Sequence, residues 1–100
     1  MLDNEKLYRF NLAIENVADC NGAEIQRDPH ALDYWVVVIS DQYSFSIYFT
    51  NGRFQLDTED DSFPLDLRRE EPSQDLQRAL KVLMDAVMYI RAYNLMDALP

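Results

Sequence analysis

Glycine, cysteine, histidine and positive charge are all scarce in this chain, and each shortage removes a class of chemistry. Gly22 and Gly52 are the only glycines. Both have local uses, one as a helix cap and one in a hairpin turn, so no glycine-rich loop remains to cradle a phosphate. Cys20 is the single cysteine, which excludes an internal disulfide and gives no sign of an oxidising compartment. His30 is the single histidine and sits in the loop sequence DPHALD. A catalytic triad needs a nucleophile and an orienting group around such a ring, and nothing in the spacing brings Cys20 to it. His30 therefore reads as a surface loop residue and Cys20 as a semi-buried thiol at a helix end.

Basic residues are half as numerous as acidic ones, nine against 18, for a formal charge of −9. Nucleic-acid binding draws most of its affinity from lysine and arginine on phosphates, so the chain should be repelled by DNA and RNA. Anionic membranes are disfavoured on the same ground. No apolar run reaches the length of a membrane span, and the opening MLDNEKLYRF lacks the basic and then apolar regions of a signal peptide. The expectation is a soluble cytoplasmic protein.

What is present is a core. Of 100 residues, 48% are apolar and 12% aromatic, which fits one globular domain spanning residues 1–100. The most informative stretch is YSFSIYFTNGRFQLD, residues 43–57. Tyr43, Phe45, Ile47 and Phe49 alternate with Ser44, Ser46, Tyr48 and Thr50, the period of a strand. Asn51-Gly52 then favours a type I′ turn, whose two residues both need positive φ. A two-residue loop pairs Thr50 with Arg53, Phe49 with Phe54, Tyr48 with Gln55 and Ile47 with Leu56. That register gathers Phe45, Ile47, Phe49, Phe54 and Leu56 on one face.

The remaining elements follow from periodicity. Leu7, Phe10, Ile14 and Val17 predict an amphipathic helix over residues 3–20, closed by Asn21-Gly22. Ile25 centres a short strand, and YWVVVIS, residues 34–40, predicts a second that is apolar on both faces. Asp41-Gln42 allows a loop of two or three residues, which leaves the register of Trp35 against the next strand open. Ser73 can cap a final helix carrying Leu76, Leu80, Leu83, Val87 and Ile90 as its core stripe. The second half of that helix is apolar nearly all round. The expected architecture is α+β in the order α-β-β-β-β-α, an antiparallel meander of three or four strands with both helices on one face, forming a two-layer sandwich.

Residues 57–73 differ in kind. From Asp57 to Asp75 there are eight acids and two bases, a net of −6. A calcium loop would need glycine at its sixth position and glutamate at its twelfth. Counting from Asp57, those positions hold Ser62 and Arg68. Paired carboxylates for acid–base work need one member desolvated in a cleft, and a run of like charges offers none. No enzyme activity, metal or cofactor is expected.

Two features exceed what a single small domain requires, the clustered acids and the surplus apolar surface. Carboxylates along a rim can imitate a phosphate backbone and occupy a cationic groove. The first expectation is a non-enzymatic inhibitor or neutralising partner of the phage anti-defence or toxin-immunity type. It would dock on a basic protein surface through Asp57, Glu59, Asp60, Asp61, Glu70 and Glu71, as a nucleic-acid mimic. The alternative is a dimeric chaperone or adaptor that holds an apolar segment of a client through Trp35, Val37, Met84, Met88 and Tyr89. Either way the partner is a protein, and a homodimer is expected.

Overall fold

The computed structural model describes residues 3–57 and 74–96, excepting the side chain of Asp75. Its elements run α1 (Asp3–Asn21), β1 (Glu24–Gln26), β2 (Tyr34–Val38), β3 (Ser44–Thr50), β4 (Arg53–Asp57) and α2 (Gln74–Met96). The strands form one open antiparallel sheet in the order β1-β2-β3-β4. The α+β order α-β-β-β-β-α expected from the sequence is the observed one.

Asn51 (φ 54°) and Gly52 (φ 77°) take the left-handed conformations that the turn demands. The β3–β4 pairing is the one the turn dictates, with Phe49 opposite Phe54 and Ile47 opposite Leu56. The end of α1 is equally local. Gly22 (φ 68°) lets Ala23 N–H reach the Ala18 carbonyl at 2.8 Å while Gly22 N–H reaches that of Asp19 at 3.5 Å. This pair of bonds is a Schellman cap.

The open register between β2 and β3 is settled by a three-residue loop, Ser40-Asp41-Gln42, with Ile39 N–H bonded to the Tyr43 carbonyl at 2.9 Å. Trp35 then stands opposite Ile47 and Val37 opposite Phe45. A loop one residue shorter would have turned Trp35, Val37 and Ile39 to the other face. Instead they join Phe45, Ile47, Phe49 and Phe54 beneath both helices, in one core with Phe10, Ile14, Val17, Ala79, Val82, Ala86 and Ile90. The outward face carries Tyr34, Val36, Val38, Ser46, Tyr48 and Gln55, all partly or fully exposed. One packed and one solvated face is the ordinary condition of an antiparallel sheet.

The helices lie side by side in opposite directions. A Cβ on Gly22, just past α1, would stand 3.2 Å from Arg78 near the start of α2. Phe10, in the first half of α1, packs edge-on against Tyr93 near the end of α2 at 5.7 Å. The core stripe of α2 is Leu76, Ala79, Val82, Ala86 and Ile90, not the expected Leu76, Leu80, Leu83, Val87 and Ile90. Leu80, Leu83 and Val87 are only half-buried. Ala79 and Ala86 stand on the stripe that joins the core, and the larger Leu80, Leu83 and Val87 take its flanks.

Candidate interaction surfaces

Three basic side chains, Lys6 buried and Arg27 and Arg78 half-buried, are polar anchors of the fold. Lys6 is fully buried on α1. Its Nζ donates to the Gly52 carbonyl at 3.2 Å and lies 5.7 and 5.9 Å from the ring centres of Phe49 and Phe54. The hairpin tip is thus tied to the first turns of α1 by a charge-assisted bond and two cation–π contacts. Arg27, just after β1, stacks over Trp35 at 4.6 Å and donates to Asn11 Oδ1 at 2.8 Å and to the Leu32 carbonyl. Trp35 Nε1 donates to the same Asn11 oxygen at 2.9 Å. Burial lowers the Arg27 pKa from its ordinary value, against the opposing pull of Glu15 and Asp33. Arg78 on α2 donates to the Ile39 carbonyl at 2.9 Å, closing the far end of the sandwich.

These anchors leave an asymmetric exterior. All nine carboxylates between positions 3 and 57 are exposed, whereas Lys6, Arg27 and Arg78 are wholly or partly inside. The exposed surface is therefore more acidic than the composition implies. Glu15 and Asp19 of α1 and Glu24 of β1 flank one shallow depression of about 300 Å³. Among the described residues no group of three or more His, Cys, Asp or Glu could hold a metal ion.

Of the acidic rim expected from the sequence, Asp57 ends β4 and is exposed. Glu59, Asp60, Asp61, Glu70 and Glu71 lie outside the described residues. The apolar candidates divide. Trp35 and Val37 are fully buried, so the expectation that they face a partner is corrected, because the three-residue loop turned their side of β2 inward. Met84 and Met88 are 66% and 67% exposed, and Tyr89 is half-buried against the core. Sequence periodicity missed Leu95, 60% exposed on the same outer side of α2. Spacings of four and seven from Met84 through Met88 to Leu95 were the available signal.

Beside this stripe runs a groove between the helices of about 400 Å³, with Cys20 of α1 on one wall and Lys81, Asp85, Met88 and Tyr89 of α2 on the other. Cys20 is exposed there, not semi-buried, and its thiol lies 3.9 Å from Asn16 Oδ1. His30 is exposed in its loop, where its backbone N–H donates to Asp28 Oδ1 at 2.8 Å. No described helix is long and apolar enough to cross a membrane. Comparison with protein-family models, with curated proteins and with solved structures finds no match in any of the three.

Proposed function

We propose that the chain is a non-enzymatic protein-interaction module whose carboxylates dock on a basic surface of another protein. The observation that supports this is the sorting of charge. Three cations serve the fold from inside, while every described carboxylate up to Asp57 faces solvent. Such a surface attracts a cationic groove over roughly one screening length, about 8 Å at physiological salt. An inhibitor or neutralising partner, with carboxylates in place of nucleic-acid phosphates, is the form this docking takes.

The test is capture of a partner from lysate at about 0.1 M and about 1 M salt, between which the screening length falls from about 10 to about 3 Å. A basic partner is held at the lower salt and released at the higher. Charge reversal of Glu59, Asp60 and Asp61 together, or of Glu15, Asp19 and Glu24 together, weakens capture at the lower salt. A partner kept equally at both salts, and by both variants, contradicts the reading.

A second reading, a dimeric chaperone or adaptor for an apolar segment, draws support from the exposed stripe of Met84, Met88 and Leu95. Methionine surfaces adapt to varied partners, and contiguous exposed apolar side chains mark contact sites. This contact is insensitive to salt and abolished by Met88→Asp. Sedimentation shows whether the free chain is a dimer.

A further inference from the structure

We infer that the outer face of α2 is a docking site for an acidic amphipathic helix of another protein. The inference rests on the second reading above, that this face is a contact surface, and adds the chemistry of what it takes.

The apolar part is the stripe Met84, Met88 and Leu95, each at least 60% exposed, with Ala92 exposed among them. It spans about three turns, long enough to receive the i, i+4 and i+7 anchors of a partner helix. The exposed charges beside it are basic, whereas on the other described elements nine exposed carboxylates outnumber the exposed Arg9 and Arg53. Lys81 and Arg91 are exposed on this helix at either end of the Met84–Met88 pair, and Asp85, the one carboxylate between them, is half-buried on the groove wall it shares with Lys81 and Met88. Every described carboxylate of residues 3–57 lies on other elements, in α1, the strands and their loops.

The distance over which charge acts decides who can bind. At physiological salt the field of an exposed group fades over about 8 Å. A short helix seated on α2 therefore feels Lys81 and Arg91, partly offset by the half-buried Asp85, more than the net charge of the whole chain. An anionic bilayer is a poorer fit. It is an extended surface that meets the whole charge of −9, and two exposed cations are fewer than the basic clusters that hold proteins to such lipids. A basic helix would set cation against cation at both ends of the stripe.

The test uses two labelled synthetic helices of about 18 residues, roughly five turns. They share a leucine face and differ only in carrying glutamate or lysine on the other. The glutamate helix should bind the intact chain about tenfold more tightly than its lysine twin, the scale expected of two exposed ion pairs. Lys81→Glu with Arg91→Glu should erase or reverse that preference, and Met88→Asp should abolish binding of both. Circular dichroism of each variant should match the parent, since these side chains lie outside the core.

Equal binding of the two helices, lost in Met88→Asp, would overturn the acidic preference while leaving the apolar contact standing. Binding unaffected by Met88→Asp would remove both. Preferential uptake by phosphatidylglycerol vesicles would overturn the proposal in favour of a membrane. A dimer that Met88→Asp converts to monomer would overturn it in favour of a second copy.

Discussion

Both helices bury an apolar stripe, but among the described residues α1 alone also buries a charged side chain, and the two differ in what they leave in solvent. α1 takes a lysine into the core beside Phe10 and Ile14, and its outer side carries Glu5, Glu15 and Asp19 around the exposed Tyr8 and Leu12. α2 takes Ala79 and Ala86 inside and leaves Met84, Met88 and Leu95 in solvent. Hydrophobicity alone would have exchanged several of these. The difference teaches that position relative to the sheet outranks residue type. Lys6 is inside because its ammonium reaches a turn carbonyl and lies over the rings of Phe49 and Phe54. Ala79 and Ala86 are inside because they stand on the line of α2 that joins the core, with Leu76, Val82 and Ile90. What remains outside on α2 is apolar surface that the fold does not use.

Substitutions can break or sharpen this contrast. The largest effect is expected at the shared core. Trp35 is fully buried, packs edge-on against Phe10 at 5.1 Å and bonds to Asn11. Trp35→Ala should cost about 3–5 kcal/mol of unfolding free energy, measured by denaturant titration. Lys6→Ala should follow, at about 2 kcal/mol, by leaving the Gly52 carbonyl without this donor and uncovering two rings. Lys6→Met, which keeps the stem, should recover part of that loss. If Lys6→Ala is silent, the lysine is not the anchor described.

Asn94, near the end of α2, comes next. Its Oδ1 accepts from Phe54 N–H at 2.7 Å and its Nδ2 donates to the Phe54 carbonyl at 2.9 Å, so one amide replaces a neighbouring strand along β4. Asn94→Ala should cost about 1–2 kcal/mol. It should also raise aggregation at high concentration, because an unpaired strand edge is a template for pairing. Light scattering against concentration reads the second effect.

How much of this was legible in the sequence depends on where the signal was local. Asn51-Gly52 and Asn21-Gly22 are short-range devices, and the hairpin register and the α1 cap followed from them directly. The turn Ser40-Asp41-Gln42 contains neither glycine nor proline, so its length, and with it the facing of Trp35 and Val37, was not readable. On α2 the leucines and valine at 80, 83 and 87 outshine the residues at 79, 82 and 86, so the expected stripe agrees with the observed one at Leu76 and Ile90 and departs from it by one position between them. Lys6 gave no signal at all, because a buried lysine is recognised only from the carbonyl and rings it meets across 46 residues of chain. For the surfaces, Met84 and Met88 were legible because no single stripe could bury so apolar a helix. That Lys6, Arg27 and Arg78 turn inward while Arg9, Arg53, Lys81 and Arg91 stay exposed is visible only once the strands are assembled.

The contrast between the helices is tested most directly by the unfolding free energy of the double variant Met84→Asp/Met88→Asp. If those side chains are surplus to the fold, its stability should lie within about 1 kcal/mol of the parent, the range of surface substitutions. A loss of about 3 kcal/mol or more would mean that the methionines are packed in the folded chain, and the outer face of α2 would then be part of the core and not a place of contact.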